Sequence, residues 1–123
     1  MKCLFSGRFD PPHPGHIASI QKLLHKFEKV VVMMLDYPER RFPLSFCCRV
    51  IEKCVCNENM SVQVNKTHFG KLTEKEWNSH NCDIYAGGNL KVLDHIEKLG
   101  ILVYYIDRSF PYAASKILDI QDE

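Results

Sequence analysis

Two histidines three residues apart, His13 and His16, stand in the stretch Gly7-Arg8-Phe9-Asp10-Pro11-Pro12-His13-Pro14-Gly15-His16. At the start of a helix that spacing puts both side chains on one face, so two imidazoles can be directed at one point. The same point receives unpaired backbone N–H groups and the positive end of the helix dipole, which together hold phosphate. Phosphoryl and nucleotidyl transfer depend on positioning and on neutralising charge that builds on non-bridging oxygens, a task that two imidazole donors suit. Pro11, Pro12 and Pro14 stiffen the loop, Gly7 permits a sharp exit from a strand and Gly15 permits close approach of a ligand or backbone. Two solvated histidines in a proline-rich loop would share the spacing alone. What separates the functional case is context: a strand before, a helix after, and the glycines and prolines between.

That context can be read from hydrophobic periodicity. Residues 2–6 and 30–35 are apolar runs of the kind found in strands buried on both faces. Between them Ile17, Ile20, Leu23, Leu24 and Phe27 share one helical face, with Gln21, Lys22 and Lys26 turned away. Strand, helix and strand make a right-handed crossover. A second helix is expected from Ser45, as N-cap, to about Cys56, with Pro43 at its boundary. Residues 61–65 alternate like a strand, and within the polar stretch 66–81 Thr73 and Glu76 fit the capping box of a short helix over 73–77. Residues 83–86 read as a strand stopped by Gly87-Gly88, 90–99 as a helix ended by Gly100, and 101–106 as a last buried strand. Five strands alternating with helices predict an α/β fold, a single Rossmann-like doubly wound parallel sheet with helices on both faces. Its ligand crevice should lie beyond the carboxyl ends of the strands, where their order reverses. A chain of 123 residues fits one hydrophobic core, so residues 1–123 are expected to form a single domain with one site.

Composition narrows the partners. Sixteen Lys and Arg against fifteen Asp and Glu create no broad field for nucleic acid or an anionic membrane, so any anion site is local. The apolar start is too short for a signal-peptide core and no later run approaches a membrane span, which makes a cytoplasmic location the expectation. Of the six cysteines, Cys47-Cys48 and Cys54-x-Cys56 lack the spacing common in zinc ligand pairs. Reduced thiols are expected, with Cys47, Cys48 and Cys54 as small buried hydrophobes.

The histidine segment resembles the signature of the nucleotidyltransferase superfamily that includes glycerol-3-phosphate cytidylyltransferase, phosphopantetheine adenylyltransferase and nicotinamide mononucleotide adenylyltransferase. His13-Pro14-Gly15-His16 looks like its His-x-Gly-His. Arg40 and Arg41, followed by Pro43, Ser45 and Arg49, are similar to the superfamily's basic loop and the helix carrying a substrate-side arginine. Gly87-Gly88-Asn89 resembles a Gly-x-Asp, with Asn89 in place of the acid. The stretch from Arg108 to Ile117 keeps the spacing of Arg-Thr-x-Gly-Ile-Ser-Thr-Thr-x-Ile, with Ala113 and Ala114 replacing hydroxyl residues.

The resemblance implies transfer of a nucleoside monophosphate, CMP slightly favoured over AMP, from CTP or ATP to a phosphorylated small molecule, with release of pyrophosphate. His13 and His16 would stabilise the α-phosphate, and Ser115 and Arg108 would hold the outer phosphates. Gly7, Arg8, Phe9, Asp10, Gly15, Gly87 and Asn89 would complete the nucleotide site. Arg40 or Arg41 would either reach both substrates or remain solvated, and Arg49 would either bind the acceptor phosphate or face solvent. Asp10 is expected to stabilise a turn rather than act as a base, because an acceptor phosphate is already ionised. Asn89 is expected to cap the helix after it. Mg²⁺ would be held mainly by the phosphates, since no carboxylate cluster offers a protein cage. Homodimers are common among relatives, and that expectation rests on the resemblance alone. Ala113, Ala114, Asn89 and Leu118 favour a different class, a nucleotide-binding module of the same fold that has lost transfer activity.

Overall fold

The computed structural model describes residues 1–106. Five strands form one parallel sheet: β1 (Lys2–Gly7), β2 (Lys29–Leu35), β3 (Met60–Asn65), β4 (Ile84–Gly87) and β5 (Leu102–Tyr105). Their order is β3-β2-β1-β4-β5, so the chain winds outward one way from β1 and then returns to its other side. This is the doubly wound α/β arrangement expected from the periodicity. The switch point lies between β1 and β4, which pair directly from Cys3 with Ile84 to Phe5 with Ala86.

The two-residue alternation of the strands builds two cores. On one face Cys3 and Phe5 of β1 and Val30, Val32 and Met34 of β2 pack with α1 (Pro14–Lys26) and α2 (Leu44–Val55) through Ile20, Leu23, Cys47 and Ile51. On the other face Leu4, Val31, Met33 and Tyr85 meet Phe69, Leu72, Trp77, Val92, Leu93 and Ile96. Those side chains come from a 3₁₀ turn (Phe69–Lys71) and its C-cap Leu72, from α3 (Glu74–Ser79) and from α4 (Leu90–Lys98). β1 and β2 are therefore apolar in succession, as strands covered on both faces must be.

Several boundaries differ from expectation. Ser45 does not cap α2, which starts at Leu44 with Pro43 at the N-cap and no side-chain bond to its amides. Residues 101–106 do not make a buried strand; β5 is an edge strand with Leu102 and Tyr105 more than half exposed. The capping box of Thr73 and Glu76 is present at α3, while the 3₁₀ turn before it has no periodic signal to announce it. Gly100 adopts φ +85 just beyond α4. Cys54 is exposed and Cys48 half-buried, so of the three helix cysteines only Cys47 is a core residue. All six cysteines are free thiols, and burial pushes that of Cys3 up to about 12.

Candidate active site

The β1–α1 loop leaves the sheet at the switch point and is organised by its own histidines. His13 is the N-cap of α1, and its Nδ1 accepts from the amides of Gly15 at 3.0 Å and His16 at 3.3 Å. The His16 Nδ1 accepts in turn from the His13 amide at 3.2 Å, closing a capping box made of two imidazoles. With Nδ1 accepting in both rings, a neutral imidazole carries its proton on Nε2. The rings stack with centroids 3.5 Å apart, and both line a cavity of about 670 Å³ at the carboxyl ends of the strands.

Phe9 supports this pair from below. Its ring is buried, meets His16 edge-on at 4.7 Å and Phe5 at 5.7 Å, and its backbone lies at φ 48. A Cβ on Gly7 would fall 3.0 Å from the Phe9 ring, so Gly7 makes room for that packing. Phe9 is thus a support for His16.

Asp10 links this loop to the one after β2. Its carboxylate accepts from the Tyr37 hydroxyl at 2.7 Å and from the amides of Arg41 at 2.7 Å and Phe42 at 2.8 Å. Burial alone would raise its pKa, but those donors and the nearby Arg40 guanidinium outweigh it and hold the carboxyl below its usual value. Both oxygens are engaged by the neighbouring loop, so the carboxylate ties the two loops together.

The three arginines part company. Arg40, expected at the substrates or in solvent, does neither: its side chain is 7% exposed and its donors go to the carbonyls of Arg8, Leu35, Phe9 and Phe42 and to Cys47 Sγ. Arg49 lies on an outer face of α2 beside Phe46, Val50 and Lys53, away from the cavity. Arg41 does line the cavity, held by one bond from its Nη2 to the Asp10 carbonyl at 3.1 Å. Arg8 lines it too, with its guanidinium over the Tyr37 ring at 5.0 Å.

Gly15, Gly87 and Asn89 also reach the cavity. Asn89 caps α4, its Oδ1 accepting from the amides of Lys91 and Val92. Arg108 and Ser115 lie outside the described residues, as do Ala113, Ala114 and Leu118. Among the described residues no three His, Cys, Asp or Glu side chains group to hold a metal ion, and no helix is long and apolar enough to cross a membrane.

Several lining residues escaped the sequence reading. Ser6 and Tyr85 share a short hydrogen bond across β1 and β4 at the switch point. Asn65 at the end of β3 and Thr67 and His68 just after it form a polar wall. The wall had a usable signal, since residues just past the carboxyl end of a strand in this architecture face the crevice. The Ser6–Tyr85 pair had none, because its partners stand 79 residues apart.

A doubly wound sheet with a capped histidine pair at its switch point defines the class, an α/β domain with a cavity at the carboxyl ends of its strands. A family model described as Cytidylyltransferase-like matches residues 4–112, and the chain belongs to that family. A 37-residue stretch is 43% identical to phosphopantetheine adenylyltransferase of Natranaerobius thermophilus, covering 30% of this chain and 23% of that protein. A bifunctional NMN adenylyltransferase/ADP ribose pyrophosphatase from Francisella tularensis superposes with TM-score 0.69 at 16% identity, over 97% of this chain and 41% of that one. A lipopolysaccharide core biosynthesis protein from Thermoplasma volcanium GSS1 superposes with TM-score 0.64 at 19% identity, over 89% and 98%. At these identities the superpositions establish a shared fold. The chain therefore spans well under half of the Francisella protein, and its match to the Natranaerobius protein spans under a quarter.

Proposed function

We propose that this chain acts as a single nucleotidyltransferase unit. It would transfer a nucleoside monophosphate from a nucleoside triphosphate to a phosphorylated small molecule. The observation that carries this is the stacked histidine pair lining the cavity, with each Nδ1 accepting from a backbone amide at the start of α1, so that a neutral ring carries its proton on Nε2. An acceptor phosphate oxygen attacks the α-phosphorus in line. The new P–O bond forms as the bond to the β-phosphate oxygen breaks, and pyrophosphate leaves with its electron pair. The acceptor is already ionised, so no proton has to be removed. His13 and His16 offset charge on the α-phosphoryl oxygens, and the first turn of α1 adds its dipole.

Arg41 and Arg8 are the described cations placed to receive the acceptor phosphate or the outer phosphates, and Arg108 and Ser115 are proposed to add to the latter. The divalent cation is proposed to enter with the triphosphate, held mainly by its phosphates and water. The Francisella bifunctional protein has also been seen complexed with AMP and a Mn ion, which is in keeping with a divalent cation. Mg²⁺ is the proposed ion, and a cytoplasmic enzyme, with a homodimer as one of its forms, the proposed setting.

CMP transfer is favoured slightly by the spacing of residues 108–117, while the phosphopantetheine adenylyltransferase match supports AMP. Pyrophosphate release measured with CTP and with ATP, each across a panel of phosphorylated acceptors, decides both the activity and the base. Turnover with one triphosphate and one acceptor class is expected. Saturable nucleotide binding without turnover on any acceptor would instead identify a binding module.

A further inference from the structure

Arg40 is the residue that ties the β1–α1 and β2–α2 loops to the end of β2 and to α2. The guanidinium has five N–H donors, and each has a partner here. Nη1 donates to the carbonyls of Arg8 and Leu35, both at 2.7 Å. Nη2 donates to the Phe9 carbonyl at 3.1 Å and to Cys47 Sγ at 3.3 Å, and Nε to the Phe42 carbonyl at 3.2 Å. The end of β2, the β1–α1 loop, the β2–α2 loop and α2 thus converge on one planar group. Asp10 closes the arrangement from the side, 4.0 Å from Nη2 and bonded to the amides of Arg41 and Phe42.

The bonds to Arg8 and Phe9 matter most for the site. Phe9 holds a left-handed backbone that non-glycine residues rarely adopt, and it needs surrounding structure to keep it there. Its ring supports His16 edge-on. We infer that Arg40 is a positioning residue for the histidine pair, fixing the carbonyls of Arg8 and Phe9 so that the Phe9 ring seats His16 against the α-phosphate. The inference rests on the transferase reading for its kinetic consequence, though not for the geometry. Lysine keeps the charge but has a single nitrogen and no planar fork, so it cannot hold these partners together.

The test uses the full chain carrying Arg40→Lys, Phe9→Leu, the pair of them, and Lys98→Gln as a remote surface control. Folding is checked by circular dichroism and kinetics are read well below each melting midpoint. In Arg40→Lys, kcat for pyrophosphate release is expected to fall about 10- to 100-fold while KM for the triphosphate changes less than about threefold. Losses in the double variant should fall well short of the product of the single losses, because both act through the same ring. Independently of activity, the His16 ring signals in two-dimensional ¹H–¹⁵N spectra should move in Arg40→Lys and stay in place in Lys98→Gln.

A folded Arg40→Lys with wild-type kcat overturns the proposal, as does a raised KM for the acceptor alone, which would make Arg40 a direct contact. Should Arg40→Lys fail to fold, Phe9→Leu carries the test, and an unchanged kcat there overturns it. If the wild type turns over no substrate, the transferase reading fails, and unmoved His16 signals then decide against Arg40 on their own.

Discussion

His16 both closes the first turn of α1 and faces the cavity, so its replacement has two separable consequences. Losing a cap bond of this kind costs roughly 1 kcal/mol of stability. Losing a donor that acts on transition-state charge costs on the order of 3 kcal/mol, a factor of about a hundred in rate. His16→Ala is therefore expected to slow turnover about a hundredfold or more with a much smaller change in KM for the triphosphate. Steady-state kinetics check it, and wild-type turnover in a folded variant would remove His16 from the chemistry. The histidine pair could be found in the sequence because its spacing, its cap role and its prolines are local. Arg40 could not be read the same way. Nothing nearby shows that four of its five partners would be backbone carbonyls, two of them contributed by residues more than 30 positions away.

The elements show a similar division. β1, β2 and β4 were legible as apolar runs because both of their faces are covered, and α1 and α4 because each presents one apolar stripe. β5 has the same kind of run but lies at the edge of the sheet, where half its apolar side chains meet solvent, and edge position is a property of strand order. The start of α2 moved from Ser45 to Leu44 because Pro43 already supplies a fixed φ for helix entry. Two substitutions probe how elements are joined. Asn89→Ala removes the bonds to the amides of Lys91 and Val92 and should lower unfolding free energy by about 1 kcal/mol in urea, with α4 otherwise intact. Gly7→Ala adds a Cβ 3.0 Å from the buried Phe9 ring, and a ring 1% exposed has little room to yield. Overpacking of this kind costs roughly 1–3 kcal/mol, so Gly7→Ala should melt earlier than wild type. An unchanged midpoint would mean that the loop can shift its ring freely, which would also weaken the case for Phe9 as a rigid support.

Across the whole molecule, charge ties together parts of the chain that packing alone leaves distinct. The amino terminus bonds to Glu28 at 2.8 Å and Lys2 N–H to Asp83, joining the start of β1 to the turn after α1 and to the residue before β4. Asp10 joins the opposite end of β1 to the β2–α2 loop. These contacts act at different pH. The amino terminus has a raised pKa through its bond to Glu28, so its contribution is complete below its unfolded value and is lost as pH rises through the folded one. Asp10 has a lowered pKa, so in acid the folded state binds fewer protons than the unfolded chain and stability falls as pH falls. Its contribution is complete above the unfolded carboxyl value of about 4 and disappears as pH drops through the lower folded value. Glu28 and Glu76 are lowered as well and act in the same direction, so the wild-type curve alone cannot assign the effect. Asp10→Asn isolates it. The variant should be less stable than wild type at neutral pH, because the amides and hydroxyl that met a carboxylate now meet a neutral amide, and the gap should narrow steadily below about pH 4. Urea unfolding of both proteins between neutral pH and about pH 3 measures that gap, and a gap constant across the range would show that Asp10 is not ionised in the fold as its three donors and the nearby Arg40 require.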